Sequence, residues 1–194
     1  MQDSSLPQFW ETRYRDHVMP WDAGAVPLDL RAFAATLPAN AHILVPGCGS
    51  AHEVRYLADT GADVVAIDFS AAAVELGKKH AGPFAQRIRL ADFFQFDPDP
   101  NPIDVVYERA FLCALPKKLW PRYAERMGDL LHPGGQLAGF FFYGTNPRGP
   151  PFGTSPGELH GLLDCAFDLV EDRAAGESLA MFAGGERWQV WRRR

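Results

Sequence analysis

Cysteine is scarce in this chain: three residues, Cys48, Cys113 and Cys165, scattered over 194 positions. An odd number with no CxxC pair excludes a disulfide framework and a paired zinc knuckle, and it suits a reducing compartment. Long apolar runs are missing too. Nothing approaches the roughly 18 residues of a membrane-spanning helix, and the densest aromatic stretch is only Phe140 to Tyr143. The start, Met1-Gln2-Asp3-Ser4-Ser5, lacks the basic-then-apolar pattern of a secretion signal. Positive charge is in deficit, with 19 Lys and Arg against 24 Asp and Glu, a net charge of −5. Nonspecific nucleic-acid binding needs a basic footprint, so that class is disfavoured. The closing Arg192-Arg193-Arg194 reads as a solvated tail. The histidines (His17, His42, His52, His80, His132 and His160) form no HxH, HExxH or His/Cys pairing, so no metal site is expected. Repeats and low-complexity tracts are absent. These absences leave a soluble cytoplasmic protein, expected to be a monomer that acts on a small molecule without nucleic acid or membrane.

What is present is a core. Hydrophobic residues make up 47% of the chain and charged residues 22%, the composition of a globular fold of about one domain. Residues 1–40 form an aromatic opening segment (Phe9, Trp10, Tyr14, Trp21), with a short helix expected over Leu28 to Leu37. From residue 41 the pattern becomes strand, loop, helix, repeated. Strands are expected at Ala41 to Val45, Val64 to Ile67, Arg87 to Ala91 and Ile103 to Tyr107. Helices are expected at Ala51 to Thr60, stopped by Gly61, and at Ala71 to His80, capped by Ser70. A further helix, Leu119 to Leu131, places Trp120, Tyr123, Met127, Leu130 and Leu131 on one face. The proline-rich stretch Asp97 to Pro102 can only be a loop. Pro133-Gly134-Gly135 is expected to turn the chain into a strand over Gln136 to Tyr143. A Pro/Gly-rich loop, Gly144 to Pro156, then leads to a last helix over Glu158 to Cys165. Two strands close the chain, Phe167 to Glu171 and Arg187 to Trp191, the latter with aromatics at a period of two. Alternating strands and helices imply an α/β fold, a mostly parallel sheet whose ligands sit beyond the carboxyl ends of the strands.

Those strand ends carry the chemistry. Val45-Pro46-Gly47-Cys48-Gly49-Ser50 follows the first strand, and its two glycines permit a sharp turn and a close backbone approach. Asp68 ends the second strand, nineteen residues after Gly49. A carboxylate there can accept hydrogen bonds from both hydroxyls of a ribose. The third glycine of the dinucleotide fingerprint is replaced by His52, so a ligand with a ribose but no pyrophosphate fits better. S-adenosylmethionine (SAM) is such a ligand, and a nicotinamide cofactor fits less well. An ordinary turn would also use Gly47 and Gly49, and Asp68 alone would suit a helix N-terminus. It is the combination after consecutive strands that points to a nucleoside. In Ala91-Asp92-Phe93-Phe94, Asp92 can take an exocyclic amine, and Phe93 can serve through its backbone N–H or its ring. Phe94 and Phe96 read as core. Glu108 and Arg109 end the fourth strand, where a substrate residue or a simple ion pair would both fit.

These motifs together resemble the thiopurine methyltransferase family of class I SAM-dependent methyltransferases, which includes thiol, thiocyanate and halide methyltransferases. The resemblance runs from Phe9 to about Phe152. It is carried by Phe9-Trp10-Glu11-Thr12-Arg13-Tyr14, Pro20-Trp21-Asp22 with Gly24, and Val45-Pro46-Gly47-Cys48-Gly49. It continues through Ile67-Asp68-Phe69-Ser70, Asp92-Phe93-Phe94, Glu108-Arg109-Ala110, His132-Pro133-Gly134-Gly135 and Gly149-Pro150-Pro151-Phe152. It implies one Rossmann-like domain over 1–194, with residues 1–40 as a lid and 41–194 as the core. The sheet would be seven-stranded and mostly parallel, with helices on both faces and an antiparallel last strand. Trp10, Tyr14 and Trp21 would cover SAM, Gly47 and Gly49 would approach its methionine end, and Asp68 and Phe69 its ribose. Asp92 and Phe93 would hold adenine, and Glu108 would also serve the cofactor. Arg109 matches the arginine that in thiopurine methyltransferases lies beside substrate and cofactor. The thiol and halide branch tends to carry an aromatic there, whereas the Pro-Gly-Cys-Gly loop and Pro-Trp-Asp resemble that second branch, so the chain mixes the two.

The implied reaction is in-line methyl transfer to a small acceptor, leaving S-adenosylhomocysteine (SAH). A thiol ionises near pH 8.5, so a sulfur acceptor needs alignment and desolvation more than acid–base help. Arg109 is the expected catalytic residue, holding an anionic acceptor, with Phe111, Tyr143, Arg148 and Phe152 lining the acceptor side. An O- or N-methyltransferase acting on an aromatic metabolite would share fold and cofactor but need a general base. His52 is the histidine to consider for that role, although a polar helix start explains it as well. Cys48 and Cys113 read as small loop and core residues. A non-catalytic SAM-binding protein remains the third alternative.

Overall fold

The computed structural model describes residues 3–98, 101–146, 148–182 and 184–194. The chain divides into two compact units, Met1–Asp97 and Pro98–Arg194. The division falls in the stretch expected to be a loop from its prolines, of which Asp99 and Pro100 lie outside the described residues.

The first unit opens with α1 (Pro7–Arg15) and α2 (Leu28–Ala34), followed by β1 (His42–Pro46), α3 (His52–Asp59), β2 (Asp63–Asp68), α4 (Ala71–Ala81), a 3-10 segment (Gly82–Arg87) and β3 (Ile88–Leu90). Helix α1 was not expected from the sequence, because Trp10, Tyr14 and their neighbours show aromatic crowding rather than an apolar stripe. Pro7 starts it, at a position where the missing N–H costs nothing. Strand β1 runs parallel to β2, from His42 opposite Asp63 to Pro46 opposite Ile67, and β2 runs parallel to β3. Every residue of β1 is buried, as expected of a strand covered on both faces. Ser70 caps α4 as the sequence implied, its Oγ accepting from Ala73 N at 3.2 Å. Leu30, Ile43, Leu44, Leu57 and Ile67 are almost wholly buried, each worth about 1.5–3 kcal/mol of transfer free energy.

The second unit holds β4 (Ile103–Arg109), α5 (Trp120–Leu130), β5 (Leu131–Phe142), α6 (Pro156–Leu163), β6 (Phe167–Ala174) and β7 (Glu186–Arg193). The expected face of α5 is the buried one: Trp120, Tyr123, Met127 and Leu130, with Ala124. Ser155 and Glu158 form a reciprocal capping box at the start of α6. Pro133-Gly134-Gly135 does not end an element as expected. It lies within β5, where pairing with β4 jumps from Ile103–Leu131 to Val105–Gln136. The prolyl residue cannot donate to the ladder, and Gly134 takes φ +88°, so three extra residues of β5 interrupt the pairing there without ending the strand. The period-two aromatics expected in β7 are also corrected. Trp188 and Trp191 lie three apart, hence on opposite faces, and both are fully buried, Trp188 against Phe140 and Trp191 against His160 of α6.

The seven strands form one mixed sheet in the order β3-β2-β1-β4-β5-β7-β6. β7 is antiparallel to both its neighbours, whereas β1–β2, β2–β3 and β4–β5 are parallel. Among the described residues no helix is long and apolar enough to cross a membrane, and no His, Cys, Asp and Glu group could hold a metal.

Candidate cofactor site

In the first unit, β1 runs into a loop of left-handed residues, Gly47 at φ +57°, Gly49 at +52° and Ala51 at +53°. A side chain at Gly49 would collide with the Tyr14 hydroxyl, so glycine is required there both for the turn and for the close approach. Asp68, at the end of β2, fastens this loop. Its Oδ2 accepts from Gly49 N at 3.0 Å and its Oδ1 from Ser70 N at 2.9 Å. Burial pushes its carboxyl up to about 6, against the pull of the Ser70, Gly49 and Phe69 N–H groups. A carboxylate has about four lone-pair positions, so capacity for hydroxyl donors remains. Phe69, beside it, is half-buried.

The three expected lid aromatics do come together. Trp10 meets Trp21 edge-on at 5.2 Å, and Tyr14 meets Trp21 at 6.0 Å. Trp21 Nε1 donates to the Tyr14 hydroxyl at 3.3 Å. Burial first, and the Asp68 charge second, push the Tyr14 phenol far up, so it stays protonated. Glu11, unassigned from the sequence, pins α1 to the start of α4. Its carboxylate accepts from Ser70 Oγ at 2.7 Å and Ala72 N at 3.0 Å. The Ala72 amide, then the Ser70 hydroxyl, hold its carboxyl below the usual range. The only sequence signal for this was its position between Trp10 and Tyr14 on one helical turn.

At the end of β3, Asp92 caps its own turn, Oδ1 accepting from Phe94 N at 2.8 Å and Oδ2 from Gln95 Nε2 at 3.1 Å. The Phe93 ring is buried and stacks edge-on with Phe94 at 5.2 Å. Of the two options for Phe93, its ring is taken up by the core. Phe96 is core as expected, while Phe94 is only half-buried.

In the second unit, Glu108, expected to serve the cofactor, has its carboxylate engaged within the fold. It is buried, and it accepts from Phe111 N at 2.7 Å, Leu112 N at 3.1 Å and the Tyr123 hydroxyl at 2.7 Å. Its carboxyl is spent on the chain reversal after β4, and burial pushes it up to about 7. Arg109 lies with its guanidinium carbon 4.0 Å over the Phe140 ring, and its buried Nη1 has no hydrogen-bond partner. Phe111 tilts against Tyr123 at 6.2 Å. A cavity of about 10 Å³, room for about one water, is lined by Glu108, Cys113, Phe140, Phe152 and Thr154 among others. Phe152 reaches it because its N–H donates to Cys113 O at 2.7 Å. The other expected acceptor residues do not line this cavity. Tyr143 accepts from Gln189 Nε2 at 2.8 Å, Arg148 is exposed, and Phe111 packs on Tyr123. Pro147 of the same loop lies outside the described residues.

This set suits a sulfonium nucleoside: a glycine turn for main-chain approach, a carboxylate at the end of β2, and an aromatic cluster able to face a cation. The family profile "Thiopurine S-methyltransferase" matches residues 5–194. The chain belongs to the thiopurine S-methyltransferase family. Membership makes it a SAM-dependent methyltransferase with small-molecule acceptors. A "Probable thiol methyltransferase 2" of Arabidopsis thaliana is 33% identical over 161 residues, 79% of this chain and 70% of that protein. A "Thiopurine S-methyltransferase" of Vibrio cholerae is 28% identical over 175 residues, 81% of this chain and 80% of that one. In fold the chain is similar to magnesium protoporphyrin IX methyltransferase of Synechocystis PCC 6803 with bound SAM, at a TM-score of 0.74 and 15% identity, covering 100% of this chain and 98% of that one.

Proposed function

We propose that this enzyme methylates the sulfur of a small thiol or thiopurine-like heterocycle, and that the whole chain works as one methyltransferase domain. The observation that carries the sulfur reading is Arg109, a cation at the carboxyl end of β4 with a buried Nη1 left without a partner. An uncompensated guanidinium N–H favours an anionic acceptor, and a thiolate is the anion a soft-nucleophile enzyme needs.

SAM, when bound, supplies a methyl group activated by its sulfonium. Gly47 and Gly49 let the main chain approach the methionine portion, and Asp68 with Phe69 holds the ribose. Asp92 and the Phe93 backbone take the adenine. Trp10, Tyr14 and Trp21 face the cation and exclude water. Arg109 orients the acceptor anion, with Phe111, Tyr143, Arg148 and Phe152 on the acceptor side. Glu108 acts indirectly, by shaping the turn that carries Arg109 and Phe111. No general base is called for. His52 is engaged with Asp22, and burial pushes the Cys48 and Cys113 thiols up, which argues against either as a nucleophile. Three unpaired cysteines support a reducing, cytoplasmic compartment, and a net charge of −5 argues against nucleic-acid partners.

The test is transfer from radiolabelled SAM to small thiols, a thiopurine, thiocyanate, iodide and phenols. Sulfur acceptors are expected to be labelled, and Asp68→Ala to abolish labelling. Transfer confined to phenols or amines would overturn the sulfur assignment while keeping the cofactor.

A further inference from the structure

One polar cluster of the first unit is left unused by this mechanism. Asp22 follows Trp21 directly, and its carboxylate reaches residues 28 and 30 positions away. Oδ2 accepts from Ser50 Oγ. Oδ1 faces His52 Nε2 at 3.0 Å and also accepts from Gly24 N at 2.8 Å. Ser50 in turn accepts at its carbonyl from His80 Nδ1 at 2.8 Å, and the rings of His52 and His80 stack at 4.4 Å. A continuous chain of contacts thus joins the aromatic segment, the glycine loop, the start of α3 and the last turn of α4.

The two ends of this chain are both cofactor residues. Ser50 adjoins Gly49, whose amide Asp68 holds from the other side. Trp21 adjoins Asp22 and donates to Tyr14, whose hydroxyl sits against Gly49. One carboxylate therefore fixes the loop and its aromatic cover together. Without it, both must be ordered when the ligand binds, and that ordering is subtracted from affinity.

We propose that Asp22 is a positioning residue for SAM, pre-ordering the glycine loop through Ser50 and His52 and holding Trp21 over it. This rests on the SAM reading above. Asp22 has no part in holding the acceptor, so its effect falls on cofactor affinity rather than on methyl transfer.

The test is SAH titration by calorimetry, with initial rates, on wild type, Asp22→Ala, Asp22→Asn and Ser50→Ala. Asp22→Ala is expected to raise the SAH Kd and the KM for SAM about tenfold or more, the scale of a lost charged hydrogen bond. Its kcat at saturating SAM stays within about threefold of wild type, since transition-state contacts are untouched. Asp22→Asn, which keeps an acceptor for Ser50 or Gly24 but loses the charge facing His52, falls between. Should Asp22→Ala fail to fold, Asp22→Asn and Ser50→Ala carry the same comparison. A lowered melting temperature with unchanged Kd and KM would overturn the proposal by making the network structural. A fall in kcat at unchanged KM would overturn it too. Wild-type protein that binds no SAH would overturn the cofactor reading along with it.

Discussion

The Asp68 carboxylate holds the Gly49 amide at 3.0 Å, joining the end of β2 to the loop after β1. These two residues were paired from the sequence as separate contacts to one ligand. They are first of all contacts to each other. The carboxylate we propose for the ribose also sets the loop proposed to approach the rest of the cofactor, so its loss would remove both at once. Asp68→Asn is expected to weaken SAH binding about 10- to 150-fold, the range for hydrogen bonds to a charged group. Isothermal titration checks this.

Gly49→Ala is expected to cost about 1–2 kcal/mol for its left-handed backbone, and more for the collision with Tyr14. Tyr14→Phe removes the colliding hydroxyl. The double variant should therefore recover part of the melting temperature lost by Gly49→Ala, leaving the backbone cost behind. Thermal melts of the two single variants and the double variant read this directly.

Glu11 ties α1 to the two donors Ser70 Oγ and Ala72 N at the start of α4. Glu11→Ala is expected to cost about 0.5–2 kcal/mol, the scale of a lost helix cap. Limited proteolysis should then cut within residues 1–40 sooner than in wild type.

Burial raises the Glu108 carboxyl from 4.5 to about 7. Between those values the folded protein binds more protons than the unfolded chain, so this group's contribution to stability falls as pH rises and levels off above about 7. Relative to Glu108→Gln, wild type should be more stable at pH 5 than at pH 8. Urea midpoints across that range test the sign, and a difference that grows with pH would contradict it.

Arg109→Ala is expected to lower kcat/KM for thiols about 10- to 100-fold, the loss of one charged contact, while leaving SAH affinity unchanged. Arg109→Lys should recover little, because a lysine lacks the planar fork that lies over Phe140. Steady-state kinetics beside SAH titration separate the two effects.

Local patterns in the sequence determined the strands from β1 to β4, the buried face of α5, the Ser70 cap and the glycine turn with Asp68 after it. Each of these is set within a few residues by alternation, helical spacing or backbone freedom, so it can be read without a fold. Tertiary structure alone decided what the buried and half-buried carboxylates do. Glu108 turned inward and reached 15 residues on to Tyr123, Glu11 reached 59 residues on to Ser70, and Asp22 reached 28 residues on to Ser50. A hydrogen bond across such a separation leaves no periodicity in either segment. The same carboxylate can serve a ligand or the main chain, and only the donors that folding brings within about 3 Å decide between them.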